Sequence, residues 1–95
     1  MDFRVGTILK AEKHPNADKL LVFQVKMGTE VRQVISGVAD SFTPEEMVGK
    51  KVVVVANLKP RMLRGLESHG MLLFAGDDGR NFVVTTDAPD GEIVS

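Results

Sequence analysis

The chain has 95 residues, 43% of them apolar and 26% charged, with no cysteine and no apolar run near the ~18 residues that a membrane helix needs. This is the make-up of one ordinary globular domain with a single modest core, and it excludes disulfides, thiol chemistry and cysteine-ligated zinc. The formal net charge of −1 conceals a segregation. Residues 1–76 hold eleven basic and eight acidic side chains, whereas residues 77–95 hold one basic and five acidic.

No charged-then-apolar leader opens the chain, so neither a signal peptide nor a membrane span is expected. The lack of cysteine fits a reducing compartment. The first element read from the pattern is a half-buried strand. Phe3, Val5, Thr7, Leu9 and Ala11 alternate onto one face, with Arg4 and Lys10 on the other. "HPNAD" (His14 to Asp18) carries turn formers. Leu20 to Met27 alternates again, "GTE" turns the chain, and Val31 to Ser36 forms a third strand before Gly37.

One short helix is expected next, because Thr43 can cap, Pro44 suits the first helical position and Glu46 completes a capping box. Glu45 and Glu46 also sit at the positive end of the helix dipole. The run "KKVVVVA" reads as a strand buried on both faces. Met71 to Ala75 is a further apolar strand, "GDDGR" a hairpin turn, and Asn81 to Thr86 the returning strand. That order predicts an all-β OB-fold over residues 1–95, a five-stranded Greek-key barrel with one short helix between strands 3 and 4. Its acidic segment 77–95 holds the closing hairpin and tail, expected to lie away from the ligand-binding rim. Pattern alone leaves a small SH3-like barrel open.

Between strands 4 and 5 lies "NLKPRMLRGLESHGM", Asn57 to Met71. From Lys50 to Leu66 there are five basic residues (Lys50, Lys51, Lys59, Arg61 and Arg64) and no acid. In an OB-fold this is the loop that joins the ligand-binding rim, and a local field counts for more than a total charge in capturing a polyanion. A charge run is also the ordinary dress of a solvated face.

Catalysis and metal binding find little support. His14 and His69 have no metal-ligand spacing, and Ser68 beside His69 points the opposite way in an extended segment. Nothing calls for a cofactor, a metal or a small-molecule substrate. Five Phe with neither Trp nor Tyr, and Phe3, Phe23 and Phe74 in strand patterns, leave few platforms for stacking single-stranded bases. A nucleic acid recognised through phosphates and shape needs fewer.

Three stretches, "RVGTILKAEKHPNADKLLVFQV" (Arg4 to Val25), "RQVISGVA" (Arg32 to Ala39) and "TPEEMVGKKVVVVANLKPRMLRGLESHGMLL" (Thr43 to Leu73), resemble the tRNA-binding domain family. Its members include the C-terminal appendage of bacterial methionyl-tRNA synthetases, free-standing dimeric tRNA-binding proteins and the domain of endothelial monocyte-activating polypeptide II. The resemblance implies a cytoplasmic, non-catalytic homodimer that recognises tRNA by its structure. Carried over residue by residue, it implies tRNA contact by Asn57, Lys59, Arg61, Arg64, Ser68 and Met71, with His14, Asn16 and Lys19 as secondary contacts. Met62 stands where relatives often have Lys, and His69 where they often have Gln. The second reading is a protein-interaction module, either an assembly domain or a secretion-chaperone-like dimer that holds peptide.

Overall fold

A computed structural model describes residues 2–77, 80–86 and 88–93. Strand β1 (Phe3–Lys13) is the spine. Its first half pairs antiparallel with β4 (Lys51–Val55), from Phe3 opposite Val55 to Thr7 opposite Lys51. Its second half pairs with β2 (Leu21–Met27), which in turn pairs with β3 (Glu30–Ser36). With β7 (Met71–Leu72) on β4, the sheet order is β3-β2-β1-β4-β7, a curled half-barrel. Its open edges come together at the segment just before β7. There the His69 N–H donates to the Gln33 carbonyl at 2.8 Å, and the Gln33 amide donates to the Glu67 carbonyl at 2.8 Å. This is the partly open barrel that the strand order calls for.

The phase expected for β1 fails midway. Register slips between Ile8, opposite Val25, and Lys10, opposite Gln24, so that Leu9 is an extra residue. A bulge of this kind bends the strand and re-aims the side chains after it. Ile8, ahead of the bulge, already faces the barrel interior, on the side of Gly6 and away from Val5; after the bulge Ala11 packs on the same core, while Leu9 is exposed.

Phe23, Leu21, Val25, Val34, Met47, Val52, Val54 and Leu72 fill the barrel around Ile8. Val53 and Val55 face the other way and are also buried, as the continuous β-branched run implies. The cover is the C-terminal segment. Val84, Pro89 and Ile93 gather over Val5 and Val53, and the Val5 N–H donates to the Glu92 carbonyl while Gly91 N–H donates back to Val5. Arg4 and Ile93 form an antiparallel bridge. The Asp90 carboxylate accepts from Thr7 Oγ1 at 2.6 Å and pairs with Lys51 Nζ at 2.9 Å.

Helix α1 (Pro44–Met47) is a single turn. Glu46 reaches back to the Thr43 N–H at 2.7 Å, completing one arm of the expected box, and Met47 drops into the core. The last apolar run divides at Leu73 into β7 and β8 (Phe74–Asp77). Strand β8 pairs with β9 (Arg80–Val83), a shorter return than the sequence suggests. The turn residues Asp78 and Gly79 of "GDDGR" lie outside the described residues.

Candidate nucleic-acid interface

The segment between β4 and β7 is a built structure rather than a loose loop. Its middle forms a hairpin of β5 (Arg61–Leu63) and β6 (Leu66–Ser68), with Arg61 opposite Ser68, Met62 opposite Glu67 and Leu63 opposite Leu66. Only Arg64 and Gly65 connect the strands, at φ of +53° and +93°. Positive φ at both central residues is the type I′ geometry that matches strand twist. Gly65 supplies it without strain, whereas Arg64 is a side chain in a region that disfavours it. An arginine therefore occupies the hairpin tip at a conformational cost.

Three of the cations around the barrel are paired with acids, while the exposed Lys10, Lys13, Lys19, Lys26 and Lys50 are spread over other elements without an ion pair among the described residues. Arg4 pairs with Asp2, Arg32 with Glu30 and Lys51 with Asp90. The Arg32 side chain also donates to the Ala56 carbonyl, and its hydrogen bond and charge hold the Glu30 carboxyl below its usual value. Lys59, Arg61 and Arg64 are exposed, and among the described residues none of them is paired with an acid. Glu67, the acid within the segment, pairs instead with His69 at 2.6 Å. Three cations within six residues thus face solvent uncompensated.

Asn57 begins the segment, exposed, with its Oδ1 accepting the Asp2 N–H at 2.9 Å. Met71 is exposed on β7 beside buried Leu72. Ser68 is 4% exposed. Its hydroxyl accepts from the Ile35 N–H at 3.0 Å and donates to the Gly70 carbonyl at 3.2 Å. Gly70 is needed there, since at φ of +150° a Cβ would lie 3.0 Å from the Val55 carbonyl oxygen. Ser68 and Gly70 therefore lock the hairpin base to the barrel. His14 is likewise buried, at 4%, while Asn16 and Lys19 in the β1–β2 loop are exposed. The side chains that sequence places in one group thus split into an outward set (Asn57, Lys59, Arg61, Arg64, Met71, Asn16 and Lys19) and an inward set (Ser68 and His14).

Sequence reasoning missed Arg32 and Gln33. Both are partly buried polar side chains that join β3 to the segment after β4. Next to them an open groove of about 560 Å³ runs between the β2–β3 face and Leu58 and Pro60. Gln24 and Gln33, joined by a 3.0 Å amide hydrogen bond, line it. Nothing in an alternating strand pattern marks these residues apart from other outward polar positions.

Residues 3–93 match the family model of a tRNA binding domain. The methionine–tRNA ligase of Methanocorpusculum labreanum is 55% identical over 91 residues, which cover 96% of this chain and 14% of the relative. The chain thus spans about a seventh of that enzyme's length. Among solved structures, a protein related to methionyl-tRNA synthetase from Pyrococcus horikoshii superimposes with a TM-score of 0.93 at 39% identity, covering 99% of this chain and 89% of its own. The chaperone CsaA of Bacillus anthracis shares the fold with a TM-score of 0.88 at 23% identity, over 99% of this chain and 90% of its own. Coverage of residues 3–93 by the family model, high identity to a segment of a tRNA ligase and a shared half-barrel agree: the chain belongs to the tRNA-binding domain family.

Proposed function

We propose that the β5–β6 hairpin captures folded tRNA by shape and charge, and that the domain serves as the tRNA-holding accessory of a methionine–tRNA ligase, with catalysis residing elsewhere. The observation that carries this reading is the clustering of Lys59, Arg61 and Arg64 within six residues on and beside one hairpin, exposed and without an acidic partner among the described residues. They neutralise backbone phosphates, which fixes register without reading sequence. Asn57 donates to a phosphate or a ribose hydroxyl, and Met71 offers a soft apolar surface to an exposed base. Asn16 and Lys19 extend the footprint, while Ser68 supports the hairpin from beneath. The domain works as a homodimer, which doubles the cationic surface offered to one L-shaped ligand. The outward apolar side chain of Ile93, on the segment that covers β1, is available to such a contact.

The test is fluorescence anisotropy with folded bulk tRNA and with an unstructured RNA of equal length, each titrated with salt. With about four phosphates engaged, log affinity should fall with a slope near −3 to −4 against log salt. Preference for folded tRNA with that slope supports the reading. Equal or absent binding of the two RNAs removes the reading, and salt-insensitive binding of unfolded peptide replaces it with the protein-interaction module.

A further inference from the structure

A hairpin with two three-residue strands is barely stable in water by itself, so whatever ties it to the barrel decides how its cations are presented. Strand β6 is tied at its C-terminal end, through Glu67, Ser68 and His69 to β3. Strand β5 carries Arg61 and runs into Arg64. Among the described residues, its hydrogen bonds beyond the hairpin reduce to one, between the Leu63 carbonyl and His14 Nε2 at 2.9 Å. His14 lies just past the end of β1, in the β1–β2 loop. Its other nitrogen, Nδ1, accepts the Asn16 N–H at 3.0 Å. A nitrogen that accepts an N–H carries no proton, so the ring's proton is on Nε2 and is donated to Leu63. One buried imidazole therefore fixes the shape of the β1–β2 loop and the position of the residue before the arginine tip.

We propose that His14 is a positioning residue for tRNA capture, one that touches no ligand and acts through the Leu63 carbonyl to hold β5 and Arg64 in their binding geometry. This rests on the hairpin being the tRNA-holding element. The burial of the ring excludes direct contact without unpacking. Its contribution is pre-organisation: a hairpin already in place loses less freedom on binding than one that must be gathered from several positions.

Two substitutions separate the ring's two hydrogen bonds. In His14→Gln the side-chain amide nitrogen takes the place of Nε2 and can still donate to Leu63. In His14→Asn the oxygen takes the place of Nδ1 and keeps the Asn16 contact, but the side chain stops short of Leu63. The experiment combines amide hydrogen exchange of β5 and β6 in the free protein, thermal melting, and anisotropy with bulk tRNA across salt. The expected result is faster exchange in the hairpin and roughly fivefold weaker binding for His14→Asn. Its salt slope should match the wild type, because every cation remains, and His14→Gln should lie close to wild type in both readouts. Equal weakening in the two variants, or loosened exchange in His14→Asn with unchanged affinity, overturns the proposal. Failure of the functional reading shows itself separately, as a wild-type protein with no preference for folded tRNA.

Discussion

The hydroxyl of Ser68 stands 3.0 Å from the buried N–H of Ile35, in the place where a neighbouring strand would supply a carbonyl. A serine side chain thereby stands in for a missing rung where the barrel edges meet. Removing it leaves a buried donor without a partner, which costs about 1–3 kcal/mol. Ser68→Ala should lower the stability by that amount, while the folded variant keeps most of its salt-dependent RNA affinity. Urea melts and anisotropy on the same samples check both halves. Affinity lost without any loss of stability would instead make Ser68 a direct contact.

Arg64 should show a conflict between stability and binding. At φ of +53° it occupies a conformation that Asn adopts with less strain. Arg64→Asn should stabilise the fold by roughly 0.5–1 kcal/mol through relief at the turn. The same change removes one phosphate contact and should flatten the log–log salt slope by about one unit. Arg61→Ala should flatten it similarly with no gain in stability. A slope that does not change in either variant would remove these arginines from the interface.

Gly70 should tolerate no side chain. Its φ of +150°, together with the Val55 carbonyl oxygen 3.0 Å from where a Cβ would stand, forces backbone displacement at the junction of β4 and β7. Gly70→Ala should destabilise by about 1–3 kcal/mol, read by thermal melting. Retention of the wild-type midpoint would mean that the junction yields easily.

Acid should release the C-terminal cover. Burial pushes the Asp90 carboxyl up, but hydrogen bonds from Thr7 and Lys51 and the charges of Lys51 and Lys26 outweigh it and hold the group below its ordinary value of 3.8. A depressed carboxyl stabilises the fold fully above the unfolded value and loses that contribution as pH falls through the lower folded one. Protection of the Val5 and Gly91 amides, which bond across this contact, should therefore hold down to about pH 5 and decline below about pH 4. Asp90→Asn should reduce that protection already at neutral pH. Because Glu30 titrates in the same acid range, persistence of the decline in Asp90→Asn would assign it to the Glu30–Arg32 pair instead.

Much of the barrel is legible in the sequence because local rules and burial agree there. The "VVVV" run, the "TPEE" helix start and the turns around His14 and Gly28 each carry a single reading. The exposed cations are legible too, since Lys59, Arg61 and Arg64 are charged whatever the fold does. What escapes are relations between distant residues. The bulge at Leu9 is a matter of register against β2, and no window of β1 alone contains that register. Ser68 and His14 look like surface polar residues in sequence. Their burial depends on Ile35 and Leu63, 33 and 49 residues away, and the hairpin inside the long loop depends on a positive φ at Arg64 that an arginine does not advertise.

The bridge between Arg4 and Ile93 has a consequence for how such a domain travels. Residues 4 and 93 sit side by side, so the segments that bound the described barrel lie close together in space. A unit of this geometry can be hung from a larger protein, or spliced into one of its surface turns, without prising the host apart. The same fold matches about a seventh of a methionine–tRNA ligase and 89% of the chain of a protein related to methionyl-tRNA synthetase.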